Sequence, residues 1–192
     1  KRLLMTIRRN RLWEAGDSVV LAVSGGVDSM VLLYAVHQTI RSHKGSIRVV
    51  TFDHGFREAS QQEVLLVERV SNELGIPCDI HRLNIGKGAN LQSRARDHRR
   101  RILEGYSGVI ATAHHASDQA ETVLFRLLRG SGLDGLKGMT YKSGRWVKPL
   151  LDMYKPELVG YAQQNNISWM EDSSNQGTTR GQIRSLWSSL EA

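Results

Sequence analysis

Short apolar runs and amphipathic stretches alternate along the first two thirds of the chain. Three runs rich in Val, Ile, Leu or Ala have the length of buried strands, at 19–23, 47–52 and 109–113, and the stretch 78–83 is strand-like. The stretches that follow them carry apolar residues at helical spacing, at 28–43, 60–74, 90–105 and 117–129. This alternation predicts a doubly wound α/β fold, with a mostly parallel sheet of about five strands and helices on both faces.

The ends of this pattern carry further elements. Residues 1–9 mix basic and apolar side chains as an amphipathic helix does, and a proline at position 156 favours a helix over 156–164. The apolar stretch 167–170 predicts a short edge strand. Glycines alternate with basic residues over 130–144, which predicts a flexible, cationic loop.

Length and composition predict one domain. At 192 residues the chain can bury a single good core, and 40% hydrophobic with 23% charged residues is typical of a soluble globular protein. We expect one domain over 1–192, with a core at about 17–151 and a helical and loop extension at about 152–192. The apolar runs are strand-sized, so no membrane partner is expected.

Charge and cysteine content limit the expected binding partners and cellular location. The net charge of +7 attracts polyanions, and nucleic acid is the polyanion to consider first. The sole cysteine, Cys78, excludes an internal disulfide and a cysteine-rich metal site, and it is interpreted as a buried structural thiol. A reducing, cytoplasmic location is the expectation.

A glycine turn between the first strand and its helix predicts a phosphate site. Backbone amides in such a turn, together with the positive end of the following helix, hold anions. Asp28 is positioned to bind a divalent metal. There is no G-x-x-x-x-G-K-[ST] pattern, so the turn supplies no lysine. A turn that binds nothing is the alternative. The candidate nucleotide-binding residues are Ser24, Gly25, Gly26, Val27, Asp28 and Ser29.

A second group of polar residues follows the fourth predicted strand. His114 and His115 precede a helix in which Asp118 and Glu121, three residues apart, share one face. Such groups suit proton transfer or the binding of a cation. The alternatives are a helix cap formed by Ser117 or Asp118, and structural histidines. Because the carboxyl ends of parallel strands meet at one edge, we expect this group to lie beside the glycine turn.

Both groups carry a family resemblance. The pattern S-G-G-x-D-S at 24–29 resembles the PP-loop of N-type ATP pyrophosphatases, which split ATP between the α and β phosphates. The stretch 112–138 is similar to the H-H-x-D-D-Q-x-E-T and L-x-R-L-x-R-G-S-G-x-x-G-L motifs of the tRNA(Ile)-lysidine synthase family, with Ser117 in place of its first aspartate. Further matches in the family's order lie at 54–57, 95–99, 148–151 and 171–175.

That resemblance implies a two-step ligase that uses ATP and Mg²⁺. ATP adenylates the 2-carbonyl oxygen of the wobble cytidine in tRNA(Ile) with a CAU anticodon, and the ε-amine of L-lysine then displaces AMP. The family's C-terminal tRNA-binding region is expected to be absent from this chain, and a homodimer is among the arrangements that the sequence permits. The implied catalytic residues are Asp28, His115, Asp118 and Glu121, with Asp28 as metal ligand. The implied substrate-binding residues are His54, Arg57, Arg96, Arg99, Asp118, Glu121, Arg126 and Arg129.

Three other activities remain open from sequence. A PP-loop tRNA 2-thiolase typically uses paired cysteines, so Cys78 alone argues against it. The synthetase domain of an amidotransferase would not need the R-G-S-G segment at 129–132. A non-catalytic ATP-binding module would need neither the Asp118 and Glu121 pair nor the basic loop.

Overall fold

The described residues of the computed structural model are 1–53, 58–83, 86, 91–132 and 137–171. They form one six-stranded sheet with six helices around it. The strands are β1 (Ser18–Ala22), β2 (Ser46–Asp53), β3 (Cys78–Arg82), β4 (Val109–Ala111), β5 (Lys142–Ser143) and β6 (Trp146–Val147). The helices are α1 (Arg2–Arg9), α2 (Val27–His43), α3 (Glu58–Glu73), α4 (Leu91–Glu104), α5 (Ala116–Leu128) and α6 (Lys155–Gln164).

The sheet is mostly parallel, in the order β3-β2-β1-β4-β6-β5. β1 lies at its centre, where Val19 is in register with Ile47 of β2 and with Val109 of β4. β5 pairs with β6 in the antiparallel direction and forms one edge. The predicted doubly wound α/β fold is confirmed, with one strand more than the expected count of about five.

Side chains of successive β1 residues enter two different cores. Val19 and Leu21 pack in a large cluster with residues of α1, α2, α3 and α6. Val20 packs with Leu103 of α4 in a second cluster. Because successive side chains of a strand point to opposite faces, the two clusters lie on opposite sides of the sheet. Helices therefore cover both faces, as the sequence predicts.

The strand order reverses between β1 and β4. From β1 the chain proceeds outward through β2 to β3, and it then returns to place β4 on the other side of β1. In doubly wound sheets, ligands bind at the carboxyl ends of the two strands that flank this reversal. The glycine turn follows β1 and the two histidines follow β4, so both groups lie at the switch point.

The predicted edge strand at 167–170 is wrong. The backbone N–H of Ile167 donates to the carbonyl of Ala162 and closes the end of α6. The N–H of Met170 donates to the carbonyl of Gly25. The segment thus satisfies backbone groups of a helix end and of the glycine turn instead of pairing with a strand. Its apolar residues are explained by packing: Ile167 is buried in the larger core and Trp169 packs against it.

The predicted flexible loop at 130–144 is wrong for 137–144, while 133–136 lie outside the described residues. The side-chain amide of Gln119 donates to the carbonyl of Met139 and accepts the N–H of the same residue. Gly138 has a φ of +66°, and a Cβ there would lie 2.7 Å from the Gln119 side chain. This segment is therefore bound to α5, and it continues into β5.

No helix in the described part of the chain is both long and apolar enough to cross a membrane.

Candidate active site

The glycine turn is tied to the helix that follows it. The backbone N–H of Ser24 donates to Ser29 Oγ at 3.1 Å, and Ser29 Oγ donates to the carbonyl of Gly26 at 2.9 Å. Gly25 has a φ of +87°, and a Cβ there would lie 3.2 Å from backbone atoms of Glu63 in α3. Glycine is therefore required at position 25 both by its conformation and by the close approach of α3.

The turn presents groups that suit a phosphate. α2 begins at Val27, directly after the two glycines, and the first N–H groups of a helix have no acceptor within that helix. These amides and the helix dipole favour an anion at this point. The nearest atom to a Cβ built on Gly26 is Ser24 Oγ at 3.8 Å, so the turn is not crowded there. The six predicted nucleotide-binding residues therefore lie together in this turn, which we call the cradle, and their role in nucleotide binding stays a prediction.

Asp28, in the first turn of α2, is paired with a lysine that the sequence did not indicate. Lys155 Nζ lies 2.7 Å from both carboxylate oxygens of Asp28. Burial by itself would raise the pKa of Asp28, but hydrogen bonds from His115 and Lys155 outweigh burial and lower the pKa. The two residues are 127 positions apart, so no local motif joins them. The Lys-Pro sequence at 155–156 indicates the start of α6, but it does not indicate a contact with Asp28.

His115 is buried between two carboxylates. Its Nδ1 accepts the backbone N–H of Ser117 at 3.2 Å, so a neutral ring carries its proton on Nε2. That Nε2 lies 3.6 Å from an oxygen of Asp28 and 3.6 Å from an oxygen of Asp118. The predicted convergence of the group after β4 with the glycine turn is therefore observed, and His115 is the contact between them.

The start of α5 differs in detail from the prediction. The N-cap is His115, not Ser117 or Asp118. Asp118 contributes to the cap from the third helical position, where its carboxylate accepts the backbone N–H of His115 at 2.9 Å. One turn further along α5, Glu121 is also buried. Asp28, Asp118 and Glu121 make up what we call the acidic side of the cleft.

His114 faces a different environment. Its Nδ1 lies 2.8 Å from Thr112 Oγ1. Burial lowers the pKa of His114, and the positive charges of Lys148 and Arg96 lower it further against the opposing effect of Asp118. Burial and Arg96 lower the pKa of Lys148 as well. The pKa of the Arg99 guanidinium is also lowered, first by burial and then by the charge of Arg96. We call this group the cationic side; its members are His114, Arg96, Arg99 and Lys148.

Comparison with known proteins places the chain in a family. A model of the PP-loop domain, an ATP-binding domain, matches residues 3–188. The chain belongs to the PP-loop domain family. It is 38% identical to the tRNA(Ile)-lysidine synthase of Pseudomonas aeruginosa over 85% of this chain and 39% of that protein. It is 40% identical to the synthase of Anaplasma marginale over 85% of this chain and 37% of that protein. This PP-loop domain thus spans less than half the length of either relative.

A solved structure agrees with the fold. The U34-tRNA thiolase of Methanococcus maripaludis superposes with a TM-score of 0.80 at 19% identity, over 99% of this chain and 71% of that one. A likeness at this identity supports the PP-loop architecture alone.

Two further predicted substrate-binding residues of the PP-loop domain contact the protein itself. Arg126 Nη1 donates to the carbonyl of Gly138 at 3.3 Å and so helps to bind the 137–144 segment to α5. The Arg129 guanidinium lies 4.4 Å from the centre of the Phe125 ring. Their role in substrate binding stays a prediction. His54 and Arg57 lie outside the described residues.

The carboxylates on the acidic side of this PP-loop domain are suited to a magnesium ion whose other ligands are the phosphates of a bound nucleotide. Within the described ranges, no group of three or more His, Cys, Asp or Glu side chains could enclose a metal ion. Mg²⁺ in nucleotide sites usually takes only one or two carboxylates, with phosphate oxygens and waters as its other ligands. Asp28 fits that pattern, provided that Lys155 yields the carboxylate.

Proposed function

We propose that this PP-loop domain is the catalytic part of an ATP-dependent ligase. It would adenylate the 2-carbonyl oxygen of the wobble cytidine of tRNA(Ile) and then join L-lysine to the ring, with release of pyrophosphate and AMP. The observation that carries the proposal is the convergence of side chains at the switch point, where His115 Nε2 lies 3.6 Å from an oxygen of Asp28, beside the glycine turn, and 3.6 Å from an oxygen of Asp118. The curated relatives named tRNA(Ile)-lysidine synthase support it.

In the first step, the glycine turn would hold the pyrophosphate end of ATP. The cytidine 2-carbonyl oxygen attacks the α phosphorus, the bond to the β phosphate breaks, and pyrophosphate leaves. The amides at the start of α2 lie at the helix end where negative charge is stabilised. A magnesium ion bound at Asp28 would add positive charge to the departing pyrophosphate.

In the second step, the acidic side would bind the lysine side chain. The ε-ammonium group must lose a proton before the amine can attack the activated carbon and displace AMP. His115 is a poor acceptor for this proton, because Nδ1 already accepts the Ser117 N–H and Nε2 carries the proton of the neutral ring. We therefore assign proton acceptance to Asp118 or Glu121, and we assign to His115 the positioning of Asp28 and Asp118.

The cationic side would bind the RNA backbone. Arg96, Arg99 and Lys148 lie close enough for their charges to affect one another's pKa or that of His114. Such a group repels itself and gains stability when phosphates approach. The net charge of +7 acts in the same direction over a longer range.

Sulfur transfer, the nearest rival activity, is not favoured by the position of Cys78. Cys78 is the first residue of β3, whereas the cleft lies at the carboxyl ends of the parallel strands. Cys78 is in register with Val49 of β2, which is in register with Leu21 of β1, so the sole cysteine lies two strands away from the strand that leads into the glycine turn. Burial also raises the pKa of its thiol, which disfavours the reactive thiolate.

Substrate dependence of pyrophosphate release tests the proposal. With ATP and Mg²⁺, sustained release of pyrophosphate and formation of AMP should require both tRNA(Ile) and L-lysine. Release that continues without tRNA, or an ADP product, would contradict it. A product that requires a sulfur donor would favour the thiolase. The cytoplasmic location, the single domain over 1–192 and the homodimer stay predictions.

A further inference from the structure

The backbone of Lys155 is held in a fixed place relative to the glycine turn. It begins α6, whose first turn is closed by Glu157, since Glu157 Oε2 accepts the backbone N–H of Tyr154 at 2.8 Å. Leu158 and Ala162 of α6 are buried in the same core as Met30 of α2. The helices that carry Lys155 and Asp28 are therefore packed together, which fixes the backbone of one residue relative to the backbone of the other.

The Lys155 ammonium occupies the position beside the Asp28 carboxylate where a metal ion would bind. It contacts both oxygens of Asp28, and a divalent cation cannot bind those oxygens without displacing it. The Lys155 side chain is 41% exposed, so its head group has room to move. A lysine ammonium is carried on a flexible four-carbon stem, so it can leave Asp28 without movement of α6.

The glycine turn itself supplies no cation to phosphates. Residues 24–29 contain two serines, two glycines, a valine and an aspartate. The P-loop of other nucleotide-binding proteins places a lysine within the loop to reach the terminal phosphates. Here the ammonium group nearest to the start of α2 in the described contacts comes from a distant helix.

We propose that Lys155 is the phosphate-binding cation of this cradle and that it exchanges between two partners. It neutralises Asp28 until a divalent cation takes that carboxylate, and it then contacts the pyrophosphate end of the nucleotide. The inference rests on the proposed function only as far as nucleotide binding, because it concerns neither the RNA nor the amino acid. Two opposite effects follow from one substitution. Removal of the ammonium weakens polyphosphate binding and strengthens metal binding at Asp28.

The experiment measures both affinities on the whole chain. Titration calorimetry gives the affinity for ATP in EDTA and in Mg²⁺, and electron paramagnetic resonance of Mn²⁺ gives metal affinity without nucleotide. The variants are Lys155→Met, Lys155→Arg and, as a matched control, Lys44→Met. Lys44 is exposed and precedes β2, so it lies at the amino edge of the sheet, away from the cradle.

Lys155→Met should bind ATP about tenfold to a hundredfold more weakly in Mg²⁺, because a charge-assisted hydrogen bond to phosphate is lost. In EDTA the loss should be smaller, because Lys155 then stays paired with Asp28. The same variant should bind Mn²⁺ about threefold to tenfold more tightly. Lys155→Arg should restore most of the ATP affinity, and Lys44→Met should match the original chain in both titrations. A misfolded variant would not gain metal affinity, so the Mn²⁺ result guards against loss of structure.

Equal ATP affinities for Lys155→Met and Lys44→Met would overturn the inference while leaving the proposed ligase intact. Weaker Mn²⁺ binding by Lys155→Met would also overturn it, since Lys155 would then support the metal site. Failure of the original chain to bind ATP at all would overturn both the inference and the proposed function.

Discussion

Two adjacent histidines at the carboxyl end of β4 have opposite surroundings. His115 is buried with its Nε2 between the carboxylates of Asp28 and Asp118. Burial lowers the pKa of His114, the carboxylate of Asp118 opposes this, and the positive charges of Lys148 and Arg96 lower the pKa further. The carboxylate of Asp118 acts on both histidines, whereas Asp28 contacts His115 and the charges of Lys148 and Arg96 act on His114. The acidic and the cationic side therefore meet at these two adjacent residues. A ligand that carries both a cation and an anion, or two ligands of opposite charge, suits such a cleft.

The division follows from the topology. Past the end of β4, the chain passes between α2, which starts at the glycine turn, and the residues that follow β6. The carboxyl end of β1 supplies Asp28 on one side. The chain directly after β6 supplies Lys148 on the other side. Neighbouring strands thus deliver charges of opposite sign to the same switch point.

Among the substitutions on the acidic side, Asp28→Ala should reduce turnover most. Asp28→Ala removes the proposed metal ligand and leaves Lys155 and His115 without their shared carboxylate. We expect turnover to fall roughly 10³-fold or more. Pyrophosphate release with tRNA and L-lysine measures it, and Cys78→Ala is the control that should retain activity. An active Asp28→Ala with an inactive Cys78→Ala would reverse the assignment.

Neutralising Asp118 tests whether the acidic side holds the lysine substrate. Asp118→Asn keeps an oxygen for the N–H of His115 but removes the negative charge. The KM for L-lysine should rise about tenfold to a hundredfold, with a much smaller change in the KM for ATP. Steady-state kinetics with each substrate varied in turn gives both values. An equal rise in both would point to a general loss of structure.

The cationic side is tested through salt dependence. Arg96→Gln should weaken tRNA binding about threefold to tenfold at low salt and reduce the slope of log affinity against log salt by about one. ATP affinity should change much less, since the described charge effects of Arg96 are on Arg99, His114 and Lys148. Lys44→Gln removes the same charge at the opposite edge of the sheet and is the control. An unchanged slope for Arg96→Gln would remove Arg96 from the RNA-binding surface.

The smallest expected effect is on the pH dependence of the protein's free energy of unfolding, through His114 on the cationic side. The unfolded chain takes up a proton at His114 near its ordinary pKa of 6.5, whereas the folded protein resists protonation because its pKa is lowered. The unfolded state thus binds more protons, and stability falls as the pH falls from about 6.5 through the folded pKa. His114→Gln should lose less stability than the original chain between about pH 7.5 and about pH 5. Urea unfolding at the two pH values measures this, and an identical loss in both proteins would contradict the stated charge environment.

Much of the site could be predicted because local rules govern it. The apolar strand, the two glycines and the helix start after them indicate the cradle at 24–29 without further context. Parallel strand order then brings His115 and Asp118 to the same edge. The Asp28–Lys155 pair could not be found in this way, because the packing of α6 against α2 joins residues that are 127 positions apart.

The errors share a physical cause. Residues 167–170 have the composition of a strand, but their backbone groups are satisfied by the end of α6 and by Gly25. The 137–144 segment has the glycine content of a free loop, but two hydrogen bonds between the Gln119 side chain and the backbone of Met139 hold it on α5. In both cases a tertiary contact replaced the local preference of the sequence.

The most direct test of the two-sided cleft is transfer of labelled L-lysine to RNA. The chain is incubated with ATP, Mg²⁺, tRNA(Ile) and labelled lysine, and the RNA is then treated with mild alkali, which cleaves aminoacyl esters but not a lysine bound through nitrogen to a base. The account predicts label that survives alkali, forms together with AMP and is strongly reduced in Asp118→Asn at lysine concentrations below the raised KM. Label that alkali removes, or ATP consumption without any transfer, would contradict it.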